Sequence, residues 1–74
     1  MNEFRRKLAV ANLSWCFVEE LRAHSEKEKM QAAERITNLS KGLSDEDVKG
    51  AREWAHAYRD TEREFWAKLA AAAQ

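Results

Sequence analysis

The residue types that could carry covalent chemistry are few, and their spacing does not suit it. Cys16 could act as a nucleophile only beside a positioned base, but His24 is eight residues away and, on a single helix, about 80° around the axis. Adjacent carboxylates such as Glu19 and Glu20 point to different sides of a helix. We therefore interpret Cys16 as a buried structural thiol and predict that the chain is not an enzyme.

Cofactor sites are equally hard to build from this composition. Structural zinc takes about four thiol or imidazole ligands, whereas the chain has one cysteine and two histidines. Its two glycines do not form a phosphate-binding loop. We predict no metal, no cofactor and no internal disulfide.

Length and charge narrow the class of protein further. The 74 residues suffice for one domain with a thin core, so we treat 1–74 as a single helical domain. Thirteen basic and thirteen acidic residues cancel, so bulk charge gives no argument for binding nucleic acid or a membrane. No apolar run approaches the roughly 18 residues of a membrane span, and the first residues show no cleavable signal pattern. We expect a cytoplasmic protein without a membrane partner.

Aromatic side chains are better candidates for function, and that function would be binding. Trp54, Tyr58, Phe65 and Trp66 follow one broad side of a predicted helix, and tryptophan and tyrosine are enriched at interface hot spots. Ordinary core packing is the competing interpretation. Because three tryptophans do not all fit in so small a core, we expect at least one of them at an interface.

Basic side chains form two groups, a ridge with helical spacing and a run of three consecutive residues. The ridge on the second half of the chain consists of Lys49, Arg52, His56, Arg59 and Arg63. It could contact a phosphate backbone or an acidic partner, or it could be a solvated face held by nearby acids. A neighbouring acidic ridge of Glu53, Asp60 and Glu64 would repel a duplex, so we favour a protein partner over nucleic acid. Arg5, Arg6 and Lys7 form the second group, on a first helical turn where the dipole disfavours cations, and they either grip an acidic surface or belong to a solvated terminus.

Helices must position all these side chains, because the chain has no proline and is rich in alanine. The clearest boundary is a turn in which Gly42 can close one helix in the left-handed conformation and Ser44 can cap the next. We predict a helix from about 45 to about 72. Before the turn, a four-three spacing runs in one phase from Phe4 to Leu39, but its middle third is polar and Ser25 opens a possible capping box there. Residues 3–41 therefore form either one helix or two helices broken near 24–25.

In the predicted helix after the turn, the residues that follow the four-three spacing form a seam, and this seam predicts how the helices pack. It carries Glu62 among apolar residues, and an antiparallel hairpin that places Leu39 near Val48 brings Glu62 close to Ser25, between Arg22 and Lys29. We predict that Arg22 and Glu62 form an interior polar pair, which contributes little stability but fixes the register.

In such a hairpin, the apolar side chains between Phe4 and Leu21 have no partner within the chain. We favour a homodimer of hairpins in a four-helix arrangement, with a monomeric three-helix bundle as the alternative. The predicted partner or dimer interface consists of Phe4, Leu8, Ala11, Trp15, Val18, Trp54, Tyr58, Phe65 and Trp66, flanked by Val10, Leu13, Phe17 and Leu21. The predicted charged contacts are Arg5, Arg6, Lys7, Arg52, Arg59 and Arg63.

These features favour a non-enzymatic protein–protein interaction module, a small regulator or inhibitor that occludes a larger protein. Small helical proteins of this kind are common among bacterial and phage-encoded regulators, which is an association of size and class only. A nucleic-acid-associated regulator and a structural subunit or assembly chaperone are the alternatives.

Overall fold

A computed structural model describes residues 2–73 and contains three α-helices in that range, with no strand. Helix α1 spans Glu3–Arg22, α2 spans Glu26–Ser40 and α3 spans Asp45–Ala72. The prediction of an all-α protein is confirmed, as are the bounds predicted for the last helix.

Side chains at the helix starts explain these boundaries. Each helix begins after a residue whose side-chain oxygen accepts a backbone N–H of the first turn: Asn2 for α1, Ser25 for α2 and Ser44 for α3. Gly42 has a φ of 85°, the left-handed conformation that lets the chain leave α2.

The first part of the chain is two helices, so the alternative of one unbroken helix over 3–41 is wrong. Helix α1 ends at Arg22. Ser25 caps the start of α2, because its hydroxyl oxygen accepts the amide of Glu28 at 3.1 Å. The Glu28 carboxylate in turn accepts the amide of His24 at 3.0 Å. These bonds satisfy amide donors that a continuous helix would have paired internally, and they favour the break although the four-three spacing continues in phase.

Helix α1 packs against both other helices, and α3 runs parallel to it. Arg6 near the start of α1 pairs with Asp47 near the start of α3, and Arg22 at the end of α1 pairs with Glu62. Helix α2 runs back along α1, where Arg35 pairs with Glu19. The predicted antiparallel hairpin is therefore not the main packing of α3. A dimer of such chains would contain six helices, so the four-helix arrangement does not apply.

The core lies where α1 meets its two neighbours. Its buried cluster consists of Leu13, Phe17, Val18, Ala51 and Ala55, with Val10, Leu21, Ile36, Leu39, Leu43, Val48 and Tyr58 packed around it. The sequence placed Val18 at an interface and Leu13 and Phe17 on an exposed flank. Both placements are wrong, because the α1–α3 pairing buries this side of α1 within the chain.

Helix α3 is longer than the bundle that supports it. Glu62 lies level with Arg22, the last residue of α1. The remaining residues of α3, 63–72, extend about 15 Å further at 1.5 Å per residue, and all of them are exposed. We call residues 63–72 the overhang.

Candidate protein interface

Three aromatic rings join α1 to α3 at the surface. The ring centroids of Trp15 lie 5.3 Å from Trp54 and 5.1 Å from Tyr58, both edge to face, and Trp54 stacks on Tyr58 at 5.2 Å. We call Trp15, Trp54 and Tyr58 the aromatic cluster. It closes the seam between the two helices, yet 44% of Trp15 and 43% of Trp54 remain exposed, so the cluster is both core edge and surface.

An apolar row leads from the aromatic cluster to the start of α1. Its members are Phe4, Leu8, Ala11 and Trp15, which we call the α1 row. The four-three-four spacing places them on one line along the helix. Phe4 is 74% and Leu8 52% exposed, because the core covers the adjacent side of α1 and not this one. The part of the predicted interface that lies on α1 is thus accessible, except for Val18.

A second apolar row leads from the aromatic cluster into the overhang. Tyr58, Phe65 and Leu69 continue the seam whose earlier members, Ala51 and Ala55, are buried against α1. Phe65 is 59% and Leu69 49% exposed because α1 has ended. We call Tyr58, Phe65 and Leu69 the α3 row, and the two rows together with Trp54 the apolar strip.

Trp66 lies beside the α3 row. Its ring meets Phe65 edge to face at 5.4 Å. Trp66 is about 100° around the helix from Phe65, so it faces a different direction, towards the side of α3 that carries Arg59 and Arg63. The predicted set therefore divides between two faces of the overhang.

The structure pairs Arg22 with Glu62, as the sequence suggested, but through a different arrangement. The Arg22 Nε donates to Glu62 Oε1 at 3.1 Å, and a second guanidinium nitrogen binds the other carboxylate oxygen. The helices are parallel at this point, and the pair lies where α1 ends. The Arg22 side chain is 42% exposed, so the pair is not interior. The hydrogen bond from Arg22 lowers the pKa of Glu62 below its usual value.

Most of the basic ridge is held by the chain itself. The Arg52 guanidinium lies 4.9 Å from the centre of the Phe17 ring, Arg59 pairs with Glu62 at 3.4 Å, and Lys49 approaches Glu53 at 4.0 Å. Such contacts are those of a folded helix surface.

In the basic group of the first turn, Arg6 forms ion pairs within the chain. Arg6 pairs with Glu3 and Asp47, each at 2.7 Å, whereas Arg5 and Lys7 are exposed. Lys7 borders a shallow groove that ends at Trp15 and Trp54.

Cys16 is a free, buried thiol. Burial is the main reason that its pKa is raised, with a smaller contribution from Glu19, so the reactive thiolate is disfavoured. Within residues 2–73, no group of three or more His, Cys, Asp or Glu side chains is placed to hold a metal ion. In the same part of the chain, none of the helices has the combined length and apolar character needed to cross a membrane.

Sequence reasoning left Leu69 out of the interface, although it is half exposed on the overhang. The signal was present, because the four-three seam of α3 runs on through this residue. What was missing was the length of helix that the rest of the chain covers.

A comparison of the chain with protein-family models, curated proteins and solved structures finds no match to any of them.

Proposed function

We propose that this chain is a non-enzymatic protein–protein interaction module, a small regulator that binds and occludes a larger protein, and that it acts as a homodimer. The observation that carries the proposal is the apolar strip, which leaves large aromatic and aliphatic side chains exposed from the start of α1 to the overhang.

The size of the strip supports association. Its exposed side chains amount to about 700 Å² when each exposed fraction is applied to a typical aromatic or leucine surface. The largest apolar patch on a typical monomer is about 300–600 Å² and is often functional. A strip of this size on so small a chain favours a surface that is covered by protein.

We assign the strip to dimerisation and the flank of the overhang to the larger target. Trp66 and Arg63 are three residues apart on that flank, so their side chains are neighbours. Tryptophan and arginine are the residue types that most often dominate binding energy. Arg63 lies about 140° around the helix from Tyr58, so this part of the flank is outside the strip and stays accessible when the strip is covered.

Photo-cross-linking in the cells that encode the chain tests the target surface. A benzophenone residue replaces Ala70, which is exposed one turn beyond Trp66. Its matched control replaces Ala57, another exposed alanine of α3, about 140° around the helix. We expect an adduct heavier than two copies of the chain from the Ala70 probe and not from the Ala57 probe. We also expect W66A to remove that adduct.

If the Ala70 probe yields no adduct beyond the dimer, or if the Ala57 probe yields the same one, the proposed target surface is wrong. Persistence of the adduct in W66A would likewise remove Trp66 from the contact.

A further inference from the structure

We propose that the apolar strip binds a second copy of the chain about a two-fold axis through the aromatic cluster, so that each overhang covers the α1 row of the other copy. This inference rests on the dimerisation included in the proposed function. It adds the arrangement of the two copies and the side chains that meet.

The spacing of the two rows is the first reason. Leu8 and Phe4 lie seven and eleven residues before Trp15, and Phe65 and Leu69 lie seven and eleven residues after Tyr58. The Trp15 and Tyr58 rings are in contact and the two helices are parallel. The rows therefore extend about 10 Å and about 16 Å in opposite directions from one point.

A two-fold rotation about an axis through that point brings the α1 row of one copy opposite the α3 row of the other. It places Phe65 of one copy against Leu8 of the other, and Leu69 against Phe4. The aromatic clusters meet at the axis. Such an interface is isologous and closes with two copies, because every contact occurs twice.

The area is the second reason. Covering the strip on both copies would bury about 1,400 Å² in total, within the roughly 1,200–2,000 Å² of stable protein interfaces. Pairing Phe65 and Leu69 of the two overhangs alone would bury only about 400 Å² and would leave Phe4 and Leu8 exposed. The arrangement through the aromatic cluster is the one that covers both rows.

Charge at the ends of the strip is the third reason. Arg5 and Lys7 are exposed at the start of α1, where the dipole of their own helix disfavours cations. In the proposed dimer, the carboxyl end of α3 from the other copy lies beside this turn. This end of the helix is the negative end of its dipole and complements the two cations.

Disulfide trapping between two differently labelled chains tests the arrangement. In a C16A background, one chain carries L8C and the other carries F65C. Both positions are at least half exposed in one copy, so the substitutions leave the core intact, and circular dichroism checks that helicity is retained. We expect a disulfide-linked dimer from the mixture under mild oxidation. We expect the same from a mixture of F4C and L69C.

Each labelled chain alone is the matched control. In the proposed dimer the two copies of residue 8 lie about 20 Å apart, as do the two copies of residue 65, whereas a disulfide requires Cα atoms within about 7 Å. Neither L8C nor F65C alone should therefore cross-link. A mixture of L8C with A57C should also remain reduced, because residue 57 lies about 12 Å along α3 from residue 65 and about 80° around the helix.

Three results would overturn the inference. The first is a monomer of 8.6 kDa in light scattering of the wild-type chain at tens of micromolar, which would also end the dimer part of the proposed function. The second is a dimer in which F65C cross-links to itself, which would show overhangs paired with each other. The third is a dimer in which the L8C and F65C mixture gives no disulfide. None of these results touches the Ala70 cross-link, which tests the target surface separately.

Discussion

Replacing Leu13 by alanine should remove most of the stability of the folded chain. Leu13 is 0% exposed and, with Val18, is one of the two largest side chains that are fully buried in residues 2–73. Loss of a buried leucine costs about 2–5 kcal/mol. The favourable free energy of transferring its methyl groups out of water is lost, and a cavity remains. A core of this size rarely supplies more than roughly 3–5 kcal/mol. The two figures are similar, so we expect L13A to be largely unfolded at low concentration.

Urea unfolding followed by circular dichroism and tryptophan fluorescence measures the effect, and Leu8 offers a matched control on the same helix. Leu8 is 52% exposed, so L8A should cost less than about 1 kcal/mol in the dilute chain. If a second copy covers Leu8, the L8A deficit should grow as the protein concentration rises, because association stabilises the wild-type fold by mass action. Equal losses for L13A and L8A in dilute solution would refute the assignment of the core.

The remaining predictions concern single local features, each measured by urea unfolding. G42A should destabilise by about 1–2 kcal/mol because of the left-handed φ of Gly42. G50A should stabilise by about 0.5–1 kcal/mol, since apart from the adjacent residues and the nearby backbone of its own helix, no described atom lies within 4 Å of the position of a Cβ. S25A should cost about 1 kcal/mol and S25G less, as expected for a helix cap. The lowered pKa of Glu62 means that its contribution is present above the unfolded pKa and is lost as pH falls through the folded value. The wild-type chain should therefore lose more stability on acidification than E62Q, and parallel pH profiles would contradict the role of the Arg22 pair.

The helix boundaries were predictable because local chemistry decides them. Gly42 and Ser44 act on the few residues beside them, and their roles follow from side-chain type alone. The break at Ser25 was visible as a capping box, but the sequence left it open. The four-three spacing that passes through Ser25 favours one helix. Only the energies of the caps and of tertiary packing decide between one helix and two.

The packing was less predictable because it depends on which helix is the central one. The sequence assigned α3 to the segment next to it in the chain, and that choice misplaced Val18 and Phe17 on the surface. In the structure α1 is shared by both neighbours, so its buried face is wider than a two-helix seam. The antiparallel register also placed Glu62 near Arg22, so the pair was predictable although the arrangement of the helices was not. That contact alone could not distinguish the parallel from the antiparallel arrangement.

The overhang is the feature that links the fold to association. An isolated helix of about ten residues is marginal in water, and residues 63–72 receive no tertiary cover. Their alanines favour the helix intrinsically, but alanine does not account for Phe65 and Leu69, whose burial is worth about 1.5–3 kcal/mol each. Both continue the register that buries Ala51 and Ala55 in the first half of the same helix. In the proposed dimer, the α1 row of the second copy, which has the same spacing, covers this part of the seam.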